Sequence, residues 1–144
     1  MSGADYRESL RRYSPRVFVD GRRVDSVADE RAFQPGLNAI ALTYDYALKP
    51  EYARLMTAVQ HTSGKVVNRL SHIDMSSADL LNKLEAVRLV CQETGCAQRY
   101  LTHDALNAIG QVSARIDDAR GTTENTARFL NYLHRVQDQD LTLG

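Results

Sequence analysis

Two prolines, Pro35 and Pro50, set the frame of this chain. Pro35 stands where a first-turn proline belongs, because the N–H it lacks is one that a helix start leaves unpaired, and Pro50 forbids the same helix from continuing. Between them Leu37, Ile40, Ala41, Tyr44 and Leu48 recur at helical spacing, so the segment reads as a helix of fixed length with one apolar face. A second short helix, from Glu51 to about Val59, is expected to follow.

The same signals recur along the chain. Ser2 with Asp5 three residues later marks a helix start, and Tyr6 and Leu10 give the short helix at 4–12 an apolar side. Ser76 with Asp79 opens the longest periodic run, Leu80, Leu84, Val87 and Cys91 with Leu81 beside them, which we expect to be the organising helix. Thr102 to about Ala114 reads as another helix, interrupted at Asp117–Thr122, where Asp117 and Asp118 are expected to be solvated turn charges. Thr123 is expected to cap the last helix, with a stripe of Thr126, Phe129, Leu130, Leu133 and Val136. One β element stands out: Asp20-Gly21 between Arg16–Val19 and Arg22–Val27 predicts a two-residue hairpin. Residues 61–73 show neither period and read as irregular chain. The fold class is mostly α, in a single domain at 1–144 with the hairpin at about 16–27. Leu141 and Leu143 close the sequence with nothing after them to cover them, so a longer parent chain is expected.

Charge and composition narrow the function. Of 144 residues, 18 are basic and 18 acidic, so no net positive field draws the chain to phosphate backbones or anionic membranes, and neither nucleic acid nor membrane is expected as a partner. With 43% hydrophobic residues the chain can bury a core, and its longest apolar run, Ala39–Leu42, is far too short to span a bilayer. The polar start at Met1-Ser2-Gly3 lacks the features of a secretory signal, and Cys91 and Cys96 are badly placed to pair on one helix; a cytoplasmic location is expected. Arg7, Arg11, Arg12 and Arg16, offset by Asp5 and Glu8, read as a solvated face. His61, His72 and His134 stand far apart without zinc-site spacing, and Gly64-Lys65 lacks the glycines of a phosphate loop.

One constellation could carry chemistry. If the helix from Ser77 runs on through Gly95, then Cys96, Arg99, Tyr100 and His103 share one face: a thiol, an anion clamp and two proton donors. The spacing is equally met by a small buried thiol, surface contacts for Arg99 and His103, and a packed tyrosine.

Tyr6-Arg7-Glu8-Ser9-Leu10, Arg16-Val17-Phe18-Val19-Asp20-Gly21, Leu42-Thr43-Tyr44, Leu55-Met56-Thr57, Gly64-Lys65 and Asn68-Arg69, continuing through Ser77-Ala78-Asp79-Leu80, Gln98-Arg99 and Asp104-Ala105-Leu106-Asn107-Ala108, resemble the family that unites 4-hydroxyphenylacetate 3-hydroxylases with 4-hydroxybutyryl-CoA dehydratases. The resemblance runs in order along essentially the whole chain. It implies the N-terminal helical domain of an acyl-CoA dehydrogenase-like fold, in which a β domain and a helical bundle follow, FAD lies mainly against those later domains, and subunits form homo-oligomers.

The two branches differ at the candidate stripe. The dehydratases carry a Cys-x-x-x-Cys pair that helps hold an iron-sulfur cluster; Cys96 matches the first cysteine, and Tyr100 stands in place of the second, so a cluster is not expected. The hydroxylases carry an arginine and, four residues on, a tyrosine, both facing substrate; Arg99 matches the arginine and His103 takes the tyrosine's place. The resemblance therefore implies a flavin-dependent monooxygenase for a phenolic substrate, with Arg99 binding substrate and Tyr100 and His103 catalytic. A dehydratase or vinylacetyl-CoA isomerase relative acting on an acyl-CoA, and a helical module without chemistry, are the alternatives.

Overall fold

Ser2 starts the first helix, α1 (Gly3–Arg11), by accepting the Asp5 N–H on its hydroxyl while the Asp5 carboxylate accepts the Ser2 N–H in return. The computed structural model describes residues 1–96 and 99–143. The expected hairpin follows as β1 (Phe18–Val19) paired antiparallel with β2 (Arg22–Arg23). Its turn residues Asp20 and Gly21 both have positive φ, 49° and 77°, as a type I′ turn demands. The proline-bracketed helix is α2 (Gln34–Leu48), and Pro50 then opens α3 (Pro50–Met56). Tyr6 of α1 packs on Leu37, Ala41 and Tyr44 of α2. At their closest approach Gly3, which donates its N–H to Asp45 at 2.7 Å, has no room for a side chain.

Residues 57–71 correct two expectations: the second short helix, expected to reach about Val59, ends at Met56, and the stretch from 61 expected as irregular chain holds a strand and a 3-10 turn. β3 (Thr57–Val59) and β4 (Val66–Asn68) form a second antiparallel pair, and a single 3-10 turn, Arg69–Ser71, follows. Each strand has only three residues, and the Val59–Val66 pair faces solvent while Val67 is buried, so no alternation long enough to read develops. Arg69, buried beneath the pair, donates to the carbonyls of Leu55, Arg54 and Thr57.

α4 (Ser77–Thr94) starts where the Ser76 cap places it, but it buries a different face from the one expected. Ala86 and Val90 pack against Tyr46 and Met56, whereas Leu80, Leu81 and Leu84 are 46%, 63% and 51% exposed and Cys91 is also exposed. The apolar period marks a helix, and a helix with apolar residues on two sides does not reveal which one meets α2 and α3. Gly95, at φ 70°, ends α4 with a left-handed cap.

α5 (Tyr100–Arg120) passes straight through the expected break at Asp117 and ends only at Gly121, φ 63°. Asp117, expected to be solvated, is 3% exposed. Its carboxylate accepts from the backbone N–H groups of Asn125 and Thr126 and from the side chains of Asn125 and Thr122. It thereby caps the last helix, α6 (Glu124–Asp138), a role the sequence assigns to Thr123, whose side chain makes no cap bond. Phe129, Leu133 and Val136 of α6 pack on Leu106 of α5, and Leu141 and Leu143, expected to lie uncovered, fold back onto this cluster half-buried. No helix among the described residues is long and apolar enough to cross a membrane.

Candidate functional site

Because Gly95 ends one helix and Tyr100 begins the next, the four residues expected on one stripe are divided. Arg99 and His103 lie one turn apart on the inner side of α5 and are 0% and 2% exposed; Tyr100 points outward at 37%. Cys96 sits in the turn, half-buried, and neither it nor Cys91 forms a disulfide.

Arg99 is a structural tie. Its guanidinium stacks over the Tyr44 ring at 4.0 Å, pairs with the Asp140 carboxylate at 2.6 Å, and donates to the carbonyls of Asp140 and Leu141. Its Nε meets no hydrogen-bond partner among the described residues. Tyr44 donates its hydroxyl to the Asp140 carbonyl at 2.7 Å, and burial pushes that phenol's pKa up although the neighbouring guanidinium pulls the other way. Thr102 completes the tie by exchanging hydrogen bonds with the backbone of Leu143. The anion clamp read for a substrate is thus filled by a carboxylate of this chain.

His103 lies in a different setting, at a cleft of about 420 Å³ lined by residues of α4 and α5. Its Nε2 is 3.0 Å from Asp74 Oδ1, and its Nδ1 is 3.2 Å from Asp104 Oδ1. Lys83 reaches the same Asp104 oxygen at 3.2 Å. Asn107, one turn further along α5, donates to the carbonyls of His103 and His72 and accepts the Asp74 N–H. His72 is buried 3.8 Å from Asp74 with its Nδ1 unpartnered, and desolvation holds its pKa below the usual histidine value. Asp74, Asn107 and Gln111 also border a second, more apolar cleft of about 340 Å³ that includes Ile73, Phe129 and Leu130. An imidazole between two carboxylates at a cleft wall can take or give a proton.

Sequence reading missed Asp74, Lys83 and Asn107. Asn107 stands four residues after His103, a helical spacing that could have revealed it; Asp74 lies in the aperiodic segment, where no pattern ties it to α5. His61 meets Gln60 and borders the more apolar cleft, and His134 meets Thr62. Among the described residues no group of three or more His, Cys, Asp or Glu is placed to hold a metal ion. Arg7 and Arg11 meet Asn38, Asp29 and Glu8 at the surface.

Residues 2–144 match the family described as 4-hydroxyphenylacetate 3-hydroxylase N terminal. The chain is 36% identical over 142 residues to a 4-hydroxybutyryl-CoA dehydratase/vinylacetyl-CoA-Δ-isomerase of Clostridium aminobutyricum, covering 98% of this chain and 29% of that protein. It is 28% identical over 141 residues to the oxygenase component of 4-hydroxyphenylacetate 3-monooxygenase of Thermus thermophilus, covering 97% and 28%. Among solved structures, an oxygen-tolerant archaeal 4-hydroxybutyryl-CoA dehydratase from N. maritimus superposes with a TM-score of 0.90 at 37% identity over 98% of this chain and 28% of the other. The oxygenase component HpaB superposes at 0.72 and 25% identity, over 99% of this chain and 29% of the other, in its complex with FAD and 4-hydroxyphenylacetate. These neighbours have an acyl-CoA dehydrogenase-like fold. The chain spans less than a third of the length of each relative.

Proposed function

The chain belongs to this 4-hydroxyphenylacetate 3-hydroxylase N-terminal family, and from that premise we propose that it is the substrate-pocket domain of a flavin-dependent monooxygenase for a phenolic substrate. The observation that carries the reading is the donor set around the start of α5. Where a cluster-bearing branch needs paired thiolates, this chain presents Cys96 with an outward Tyr100, and one turn on it sets His103 between carboxylates at a cleft. Those are oxygen and nitrogen groups suited to hydrogen-bonding a phenol, and a phenol oxygen is a poor substitute for the soft thiolate that iron-sulfur clusters take.

The residues present do not make a flavin cradle by themselves. The two deeply buried guanidiniums, Arg69 and Arg99, are filled by the chain's own carbonyls and by Asp140. FAD therefore belongs against the remaining two-thirds of the enzyme, and it supplies the oxygen chemistry there when reduced. This domain's part is to wall the pocket, exclude water and hold a proton-transfer group, His103, toward the phenolic hydroxyl. Lys83 and Asp104 at the mouth of the cleft orient the substrate. Leu81 and Leu84, left exposed on α4, face those remaining domains. The assembled enzyme is a cytoplasmic homo-oligomer in this reading: the unpaired Cys91 and Cys96 suit a reducing compartment, and the oligomer follows from the family resemblance.

A dehydratase or isomerase reaction on an acyl-CoA is the second reading, favoured by the 37% identity and TM-score of 0.90 to the archaeal enzyme. One experiment separates the two. The chain is produced together with the rest of its enzyme, reconstituted anaerobically with iron and sulfide, and assayed for phenol hydroxylation with reduced FAD and oxygen and for dehydration of 4-hydroxybutyryl-CoA. Hydroxylation by a protein without iron-sulfur colour is expected. A stoichiometric, Cys96-dependent cluster with dehydratase activity overturns the proposal, and absence of both reactions points to a module without chemistry.

A further inference from the structure

We propose that Asp74 is the positioning residue for His103: it holds the Nε2–H, fixes the plane of the ring and leaves Nδ1 as the nitrogen that exchanges protons in the cleft. The proposal deepens the reading of His103 as the proton-transfer group and rests on it.

The two ring nitrogens have unequal surroundings. Nε2 meets Asp74 Oδ1 at 3.0 Å and, at the longer distance of 3.3 Å, the Asn107 side-chain nitrogen, whose hydrogens go to the carbonyls of His72 and His103; the Asp74 carboxylate is only 17% exposed. Nδ1 meets Asp104, whose side chain is 49% exposed and shared with Lys83 at 3.2 Å. A partner shielded from water keeps one geometry; a half-exposed carboxylate already engaged by a lysine can turn aside when a ligand enters. Asp74 is itself fixed, because its backbone N–H donates to Asn107 Oδ1 at 3.0 Å while Asn107 donates back to the carbonyls of His72 and His103. Asn107 thus locks the loop carrying Asp74 to the helix carrying His103. Shielded carboxylate, imidazole and open cleft follow in the order by which a carboxylate sets a histidine's tautomer in general-base catalysis.

Proton bookkeeping is simple. With Nε2–H donated to Asp74, the neutral ring offers its Nδ1 lone pair; it takes the substrate's O–H proton there, becomes imidazolium bridged to Asp74, and returns the proton through Nδ1 to solvent or Asp104. No external redox partner enters the step. His72, 3.8 Å from the same Asp74 oxygen, is the other titratable ring in contact, and burial lowers its pKa.

The test has two arms. In ¹⁵N-labelled wild-type 144-residue chain, long-range imidazole spectra should show a slowly exchanging His103 proton on Nε2, with through-space contacts to the Asp74 methylene. The signal should vanish in Asp74→Asn and survive in Asp104→Asn. A proton found only on Nδ1, or an Nε2 signal with no contact to Asp74, overturns the proposal, and this wild-type measurement decides even if a variant fails to fold. In the assembled enzyme, Asp74→Asn should lower kcat by about 10-fold to 100-fold while KM moves less than about 3-fold. Unchanged kcat in Asp74→Asn with a slowed His103→Ala overturns the positioning role. If His103→Ala is itself fully active, the catalytic reading of His103 falls, while the spectra still report separately on its bond to Asp74.

Discussion

Arg99 lies with its guanidinium 4.0 Å from the centre of the Tyr44 ring, wholly shielded from water, and its charge is met by Asp140 from the far end of the chain. The contact ties α2, α5 and the C-terminal segment into one joint. Removing the carboxylate leaves a desolvated cation, whereas removing the cation leaves Asp140, 23% exposed, free to hydrate. Asp140→Asn, which suits the left-handed backbone at φ 50°, is therefore expected to cost about 1–3 kcal/mol, and more than the similarly sized apolar change Arg99→Met. Urea unfolding of both variants checks the order; a larger loss for Arg99→Met would show that packing on Tyr44 dominates over charge.

That joint shows where sequence reading stops. Ser2, Ser76, Pro35, Pro50 and Asp20-Gly21 act on their neighbours within a few residues, so the elements they govern are legible from spacing. Arg99 and Asp140 meet across 41 residues and Asp74 and His103 across 29, through turns whose directions no local pattern fixes. Gly95 is the instructive case. Its left-handed cap separates Cys96 from α5, and within the first turn of α5 Tyr100 falls on the outward edge of the face that Arg99 and His103 turn inward. A glycine after a long periodic run was the available signal. The burial of Asp117, by contrast, depended on α6 folding back so that its first N–H groups reached the carboxylate.

Gly3 makes a test of the α1–α2 contact. A Cβ there would lie 2.9 Å from the Ala41 carbonyl oxygen and 2.7 Å from Asp45 Oδ2, and a helix backbone cannot yield as a flexible side chain can. Alanine normally favours a helix over glycine, so the clash sets the sign. Gly3→Ala is expected to destabilise by about 1–3 kcal/mol, as overpacking does. Thermal unfolding that moves upward would mean α1 can ride away from α2 without loss.

Acid should weaken the fold in two stages. Burial lowers the pKa of His72 in the folded state, so the neutral ring stabilises above the ordinary value of about 6.5, and that stability is lost as pH falls below it. Asp117 behaves with the same sign lower down. Burial opposes its charge, but the hydrogen bonds from Thr126 and Asn125 prevail and hold it far below the ordinary carboxylate value, so its contribution disappears as pH falls past about 3.9. The urea midpoint followed from neutral to acid pH should decline in both ranges. His72→Gln should remove the upper decline, and Asp117→Asn should reduce the lower one, to which Asp5, Asp29, Glu30 and Asp79, also held below their ordinary values, add with the same sign; an upper decline that persists in His72→Gln assigns it to another group.

The exposed face of α4 separates folding from assembly. Leu81 and Leu84 are 63% and 51% exposed, so neither contributes much to the core of this domain, and replacing them with lysine should change its stability by no more than about 0.5 kcal/mol. If the face is covered by the remaining domains of the enzyme, each leucine buried there contributes on the order of 2 kcal/mol, and the double change Leu81→Lys with Leu84→Lys should weaken association by about 100-fold or more. The chain and the remainder of its enzyme, produced as separate polypeptides, can be titrated by calorimetry to read that loss, with Arg128→Ala on exposed α6 as the control. Normal folding with undiminished association would place the domain contact elsewhere. A fall in domain stability matching the fall in association would instead show that the two leucines already support the helical core.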